Sequence, residues 1–167
     1  MYRSPLTWEE AKVWREELKS AGKKLVFTNG CFDIIHPGHV DLLDKSRNLG
    51  DALIVALNTD DSVSRIKGPS RPVNSEEDRV AVVSGLKAVD EVVLFDEDTP
   101  SEIINLLLPD ILVKGGDWTP ETVVGSDTVQ QAGGRVEIIP LVEGRSTTNV
   151  IEKILNSAGI QGKDRLT

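Results

Sequence analysis

The stretch KLVFTNGCFDIIHPGHV, Lys24 to Val40, combines a strand pattern with the start of a helix. Its opening, Lys24 to Thr28, is the short apolar run expected of a buried strand. Pro37 then stands in the first turn of a helical pattern that runs to Gly50, a position where proline is favoured. The stretch therefore predicts a strand, a loop and a helix in succession.

The same alternation of strand and helix continues along the chain. The apolar runs are continuous, which is typical of strands in a parallel sheet that is covered on both faces. We therefore predict an α/β fold, a Rossmann-like, doubly wound sheet of five parallel strands with helices on both faces. The predicted strands are Lys24–Thr28, Ala52–Asn58, Glu91–Phe95, Ile111–Lys114 and Val136–Ile139.

The chain of 167 residues has the length of one domain, so we predict a single domain over 1–167. Thr7 and Glu10 form a capping box that starts a leading helix over about 7–21. The core is expected over about 24–156, followed by a frayed tail, 157–167. Further helices are predicted over 75–85, 103–108 and 126–132 and from Ser146 onward. A short helix is predicted to begin over 60–65 and to be ended by the Gly-Pro and Arg-Pro steps at 68–72.

Composition excludes several classes of protein. Nineteen basic and 27 acidic residues give a formal net charge of -8, which argues against a nucleic-acid or anionic-membrane partner. No apolar run approaches the roughly 20 residues of a membrane span, and residues 7–19 are too charged for a signal peptide. Cys31 is the only cysteine, which excludes an internal disulfide. We therefore expect a cytoplasmic protein.

The only two histidines, His36 and His39, lie at the predicted strand-to-helix junction. The first amides of a helix are unpaired and favour an anion, and imidazoles can donate to phosphate oxygens. This arrangement suits a polyphosphate undergoing transfer. A zinc site is the alternative, but Cys31 is the only thiol and carboxylates would have to complete it. We rank phosphate chemistry first and expect no metal held directly by a protein cage.

Other polar groups also follow predicted strands, where ligands of parallel sheets bind. The basic stretch RIKGPSRP, Arg65 to Pro72, contains glycine and proline, so we predict a mobile loop. Lys67 in this stretch is a candidate to stabilise phosphates during their transfer. For Arg65, the alternative to a phosphate contact is an ordinary charge in solvent. Neither a G-x-G-x-x-G fingerprint nor a P-loop is present.

These features together resemble the H-x-G-H nucleotidyltransferases, the cytidylyltransferase-like superfamily. The motif is His36-Pro37-Gly38-His39 behind Gly30–Asp33, and Gly144–Thr148 resembles the second signature of the group. The likeness covers about residues 24–156. The segments TNGCFDIIHPGHV, RIKGPSRPVN, LVKGGDW and EGRSTTNVIEKI are most similar to the adenylyltransferases of ADP-heptose synthesis. In many bacteria this activity follows a sugar kinase domain, and we expect the free-standing form here.

The resemblance implies an in-line transfer of AMP from ATP to D-glycero-β-D-manno-heptose 1-phosphate, with Mg²⁺ and pyrophosphate leaving together. It implies catalytic roles for His36, His39 and Lys67, and a homodimer or higher homo-oligomer. The implied nucleotide contacts are Asn29, Gly30, Cys31, Phe32, His36, Gly38, His39, Lys114, Gly116, Asp117, Ser146, Thr147 and Thr148. The implied contacts to substrate phosphate or sugar are Asp33, Arg71, Arg79 and Arg145.

Several alternatives stay open at this point. Glycerol-3-phosphate cytidylyltransferases carry an arginine where this chain has Leu141. This difference weakens the case for a cytidylyltransferase function and leaves the role of Arg145 open. A third hypothesis is a module that senses nucleotide without turning it over. Among single residues, Asp33 either orients a substrate group or caps a turn, and Arg79 forms either a surface salt bridge or a phosphate contact. Cys31 is a small buried side chain or a nucleophile.

Overall fold

A computed structural model describes residues 3–116, 118–142 and 144–159. All five predicted strands are present, and every pairing between them is parallel. Their order across the sheet is β3-β2-β1-β4-β5, which confirms the predicted α/β class. The strands are β1 Leu25–Gly30, β2 Ala52–Asn58, β3 Glu91–Phe95, β4 Ile111–Gly115 and β5 Arg135–Ile139.

The helices start at the predicted caps. Thr7 forms the full capping box with Glu10, and the hydroxyls of Ser75 and Ser146 accept from the backbone amides three residues on. The helices are α1 Trp8–Ser20, α2 Pro37–Arg47, α3 Asp60–Lys67, α4 Glu76–Ser84, α5 Ser101–Leu107, α6 Ser126–Gln131 and α7 Thr147–Ser157, with a 3₁₀ turn over Pro120–Thr122. Of the predicted frayed tail, Ser157 belongs to α7, and residues from 160 onward lie outside the described residues.

The predicted loop from Arg65 to Pro72 begins three residues later than expected. Helix α3 continues through Lys67 and ends at the Gly-Pro step, and the loop begins at Gly68, whose φ is +98°. Basic side chains in the last turn of a helix interact favourably with its unpaired carbonyls. Lys67 is therefore held on the end of a helix rather than on a mobile loop.

The core lies on both faces of the sheet. On one face, Phe27, Ile54 and Leu112 pack with residues of α1, α5 and α6. On the other face, Leu53 and Val113 pack with residues of α2 and α4. All the residues of β2 are buried, which explains why its sequence is continuously apolar.

The strand order creates a crevice at one end of the sheet. The chain runs from β1 to β2 and β3 on one side, then returns to place β4 on the other side of β1. The connections that follow β1 and β4 diverge at this point, and ligands of open α/β sheets bind there. In the part of the chain that the structure describes, no helix is long and apolar enough to cross a membrane.

Candidate active site

A cavity of about 610 Å³ lies at the carboxyl ends of the strands. This volume is in the range of small-ligand sites. The connections after all five strands and the first turn of α7 contribute to its lining. The predicted site residues that line it are Asn29, Gly30, Cys31, Phe32, Asp33, His39, Lys67, Arg71, Lys114, Thr147 and Thr148. His36, Gly38, Gly116, Ser146, Arg79 and Arg145 are not part of the lining.

The two histidines are stacked on each other beside this cavity. His36 is the N-cap residue of α2 and His39 lies one turn further on, so their rings meet with centroids 3.8 Å apart and an interplanar angle of 21°. Within the described residues, the Nδ1 atoms of both rings are buried without a hydrogen-bond partner. Each neutral ring carries one N–H donor and one unprotonated nitrogen.

The surroundings keep both rings uncharged. Burial, followed by the neighbouring His36, lowers the pKa of His39 to about 4. Burial and the positive charge of Arg145 also lower the pKa of His36. At neutral pH the pair therefore presents two N–H donors without a net charge, and it gains proton affinity when an anion approaches.

Phe32 and Gly38 shape the space around the histidines. Phe32 has a φ of 47°, in the left-handed region, and its buried ring lies 4.9 Å from the ring of His39. At Gly38, a Cβ atom would lie 3.0 Å from Nδ1 of His36 and 3.4 Å from Cβ of Arg145. A side chain at position 38 would therefore press on the His36 ring, whereas its contact with Arg145 would be an ordinary one.

We expect Gly38→Ala to lower kcat about tenfold, because the new methyl group displaces the His36 ring by a few tenths of an ångström. The nucleotide dissociation constant and the Tm should change little. Gly85→Ala is the matched control, since a Cβ there meets only ordinary contacts at 3.4 Å. Steady-state kinetics and thermal unfolding of both variants test this, and an unchanged kcat in Gly38→Ala would contradict the packing account.

Asp33 anchors the loop that follows α3. Its carboxylate is 3% exposed and accepts from the amides of Val73 and Asn74, both at 2.9 Å, and from Nε of Arg71 at 2.7 Å. Burial alone would raise the pKa of Asp33, but these three donors outweigh it and lower the pKa. The carboxylate thus holds a loop that lies 40 residues away in sequence, and it keeps Arg71 at the cavity.

Arg79 lies in the interior rather than at the surface. Its side chain is 0% exposed and does not line the cavity, and it forms a salt bridge with Asp60. The guanidinium donates to the carbonyls of Cys31 and Asn74 at 2.8 and 3.2 Å, and to the carboxylate of Asp60 at 2.7 Å. Arg79 faces inward from α4 because these acceptors meet at that point, and it ties the β1–α2 loop to the 68–74 loop.

The end of β4 supplies a further cation. Nζ of Lys114 lies 3.3 Å from Oδ1 of Asn29 and 5.8 Å from the centre of the Trp118 ring. Burial lowers the pKa of Lys114. Gly116 donates its amide to the carbonyl of Ile139 at 3.0 Å, a backbone contact that closes the turn, whereas Asp117 lies outside the described residues.

Cys31 is a poor candidate nucleophile. Its Sγ atom lies 3.9 Å from Oδ1 of Asn58, and burial raises the pKa of the thiol. A thiol whose pKa is raised stays protonated at neutral pH, whereas the thiolate is the nucleophile. The structure therefore favours the alternative in which Cys31 is a small, half-buried side chain.

The start of α7 closes another side of the cavity. Ser146 is the N-cap residue, and its hydroxyl accepts from the amide of Asn149 at 3.1 Å. Thr147 and Thr148 in the first turn line the cavity. The unpaired amides of this turn are suited to an anion.

The sequence analysis did not identify much of the remaining wall. The connection after β3 contributes Asp98, Thr99 and Pro100, and it carries no basic or glycine-rich signal that would mark it. Its position directly after a strand was the available clue. The other residues not identified in advance are Leu42, Asn58, Ile66, Val123, Val124 and Leu141, whereas Gly115 and Trp118 belong to a segment expected at this edge.

Known proteins resemble the chain in sequence. The model of the family described as cytidylyltransferase-like matches residues 27–158. "Bifunctional protein HldE" of Syntrophotalea carbinolica is 62% identical over 135 residues, which are 81% of this chain and 28% of that protein. The protein of the same name from Gluconobacter oxydans is 61% identical over 143 residues, 86% of this chain and 30% of that protein. The chain thus spans less than a third of the length of these relatives.

Solved structures show the same fold. The lipopolysaccharide core biosynthesis protein from Thermoplasma volcanium has a TM-score of 0.60 and 30% identity, over 74% of this chain and 100% of that chain. A pantoate-β-alanine ligase from Francisella tularensis has a TM-score of 0.57 at 12% identity, over 92% and 80% of the two chains. The family match over most of the chain agrees with the H-x-G-H residues at the cavity, and the chain belongs to the cytidylyltransferase-like family.

Proposed function

We propose that this chain transfers AMP from ATP to D-glycero-β-D-manno-heptose 1-phosphate, forming ADP-heptose and pyrophosphate. Relatives called HldE, at 52–62% identity, and the four segments that resemble ADP-heptose adenylyltransferases support this substrate pair. The observation that carries the chemistry is the stacked, uncharged histidine pair beside a cavity of about 610 Å³. Lys67, Arg71 and Lys114 line the same cavity.

The proposed reaction is an in-line displacement. A phosphate oxygen of the sugar 1-phosphate attacks the α-phosphorus of ATP, a new P–O bond forms, and the bond to the pyrophosphate oxygen breaks. Negative charge moves onto the leaving pyrophosphate and the equatorial oxygens. In this proposal His36 and His39 donate from Nε2 to those oxygens, and Lys67 offsets the charge that develops. No protein nucleophile is needed, which is consistent with a protonated Cys31.

The same cavity offers binding groups for the rest of the substrates. The first amides of α7, at Thr147 and Thr148, suit the β- and γ-phosphates. The backbone from Asn29 to Phe32 and Nζ of Lys114 suit the nucleotide on the opposite wall. Arg71 keeps guanidinium nitrogens beyond its bond to Asp33 and is proposed to bind the sugar phosphate.

Magnesium is proposed to enter with the nucleotide. Among the described residues of the cavity, Asp33 is engaged by protein donors and Asp98 pairs with Arg65 at 3.0 Å. These carboxylates do not fit a direct protein cage, so phosphate oxygens and water are the proposed Mg²⁺ ligands. When bound, the ion would neutralise phosphate charge.

The assembly and location of the chain stay predictions. The resemblance supports a homodimer or higher homo-oligomer, and sedimentation equilibrium measures that mass directly. The net charge of -8 supports an absence of nucleic-acid partners, and a cytoplasmic location is expected on the same sequence grounds as before.

Pyrophosphate release tests the proposed function. ATP and CTP are each supplied with Mg²⁺ and either the heptose 1-phosphate or glycerol 3-phosphate. We expect release only with ATP and the heptose phosphate. Release only with CTP and glycerol phosphate would keep the mechanism and overturn the substrates. Nucleotide binding by calorimetry without release in any mixture would contradict the transferase proposal and favour a nucleotide sensor.

A further inference from the structure

The connection that follows β3 places an open carboxylate in the cavity. Asp98 and Thr99 both line the cavity, although the proposed reaction gives them no part. Among the described residues of the lining, the other carboxylate is Asp33, which is buried and bound by three protein donors. The side chain of Asp98 is instead 71% exposed, so a ligand can reach it.

Arg65 holds this carboxylate in place. Its Nε atom, in the last turn of α3, donates to Oδ1 of Asp98 at 3.0 Å, and the same guanidinium lies 3.5 Å from the carboxylate of Asp96. Asp96 is not part of the lining. Within the described part of the chain, Arg65 is the only donor to Asp98 and binds Oδ1 alone, so Oδ2 can accept a hydrogen bond from a ligand.

Helix α3 also connects Asp98 with the proposed site of the sugar phosphate. Ser64, the neighbour of Arg65 in sequence, donates its hydroxyl to the carbonyl of Arg71 at 2.6 Å. Arg71 is the residue proposed to bind the sugar phosphate, and Lys67 follows on the same helix. The proposed phosphate ligand and the carboxylate of Asp98 therefore border the same end of one helix.

A carboxylate at this point disfavours phosphate and favours hydroxyl groups. An ionised carboxylate only accepts hydrogen bonds and repels another anion, so Asp98 would weaken the binding of a phosphate placed next to it. Sugar hydroxyl groups are neutral donors, and a hydrogen bond to a charged acceptor is stronger than one between neutral groups. The hydroxyl of Thr99 can donate and accept, which suits the same kind of ligand.

The sheet places this segment to one side of the reaction centre. β1, which leads to the histidine pair, is the middle strand, and β3 lies two strands away at the edge. Neighbouring strands are about 4.8 Å apart, so the ends of β1 and β3 are separated by roughly 10 Å. Toward the opposite edge, the exposed side chains of Trp118 and Leu141 form an apolar wall that suits the faces of a nucleobase. The polar segment at the β3 edge is thus left for the sugar.

We propose that the segment after β3 recognises the hydroxyl groups of the sugar, with Asp98 as its specificity-determining residue and Arg65 as the positioning residue of Asp98. The proposal rests on the proposed function, because it concerns the sugar part of the acceptor substrate. Inorganic phosphate can bind Arg71 and Lys67, but it has no sugar hydroxyl group to donate to Asp98.

Equilibrium binding tests the proposal apart from catalysis. The dissociation constants of the heptose 1-phosphate and of inorganic phosphate are measured by calorimetry, each without and with a non-hydrolysable ATP analogue. We expect Asp98→Ala to weaken the binding of the heptose phosphate about tenfold, as for a lost hydrogen bond to a charged group, and not to weaken that of inorganic phosphate. Asp98→Asn should weaken it less, because the amide oxygen still accepts.

Asp96→Asn is the matched control. Asp96 pairs with the same arginine but lies outside the lining, so both dissociation constants should stay the same in this variant. A loss of heptose phosphate affinity as large as in Asp98→Ala would show that the ion pair with Arg65 matters and not the carboxylate in the cavity. That result would overturn the proposal.

Steady-state kinetics separate the roles of the two residues. Asp98→Ala should raise the KM for the heptose phosphate about tenfold and leave kcat and the KM for ATP unchanged, as when binding common to ground state and transition state is lost. Arg65→Met should raise the same KM roughly threefold, a smaller effect because the carboxylate remains but is no longer held. Arg65→Lys should restore part of the loss, since lysine can still pair with Asp98.

The outcomes distinguish this proposal from the proposed function. Equal affinities of the unchanged protein and Asp98→Ala for the heptose phosphate would overturn the role of Asp98, and so would an equal loss of affinity for inorganic phosphate. Heptose phosphate binding that depends on Asp98, without pyrophosphate release in the unchanged protein, would overturn the proposed function and support the sugar site. No binding of the heptose phosphate by the unchanged protein would overturn both.

Discussion

Replacing His39 with alanine is expected to lower kcat by about 100-fold or more, with little change in the Tm. The ring lines the cavity and offers an uncharged N–H donor, so its loss removes a transition-state contact. Because the ring is only half-buried, the fold should survive. Single-turnover kinetics with ATP and the heptose phosphate measure the chemical step directly.

His39→Gln serves as the control for this result. The glutamine amide can place an N–H donor near the position of Nε2, so part of the activity should return. Thermal unfolding of both variants separates a lost donor from a damaged fold. Near-normal turnover in a folded His39→Ala protein would rule out the proposed role of this residue.

The second large effect is expected on stability, from Arg79→Met. The methionine fills similar volume, but it leaves the carbonyls of Cys31 and Asn74 without their donor and Asp60 without its partner. We expect the free energy of unfolding to fall by about 3 kcal/mol, as when a buried charged donor is removed. Urea denaturation monitored by circular dichroism measures this difference.

Arg65→Met is the matched comparison. Arg65 also pairs with two aspartates and a backbone carbonyl, yet its side chain is 45% exposed and solvent screens it. We expect the free energy of unfolding to change little in this variant. Equal losses of unfolding free energy in the two variants would show that burial does not decide how much these arginines contribute to stability.

Much of the fold could be predicted because burial in the core dictates where apolar residues stand along each strand and helix. The bounds of β2 and β3 match the structure, since buried strands must be apolar along their length. The end of β1 was placed too early, because Asn29 and Gly30 carry no strand preference and extend the strand only by pairing with Ala56 and Leu57 of β2. That pairing is tertiary, and no local sequence signal reports it.

The candidate site was predictable to a similar extent as the fold. Parallel strands bring their carboxyl ends to one edge, so residues as distant as His39, Lys67 and Thr147 were expected to converge. Arg79 was misplaced because the carbonyl that holds it belongs to Cys31, 48 residues away in sequence. An arginine in a helical pattern faces solvent by default, and only the folded chain reveals such an acceptor.

The cavity draws its walls from the connections after all five strands, over a span from Asn29 to Thr148. A bound ligand therefore touches chain segments that follow every strand of the sheet. Occupancy is thus linked to global unfolding, and a hundredfold excess of ligand over its Kd adds about 2.7 kcal/mol to the unfolding free energy. No excised half of the sheet retains the complete set of contacts, so ligand affinity reports on whether the entire cooperative unit has assembled.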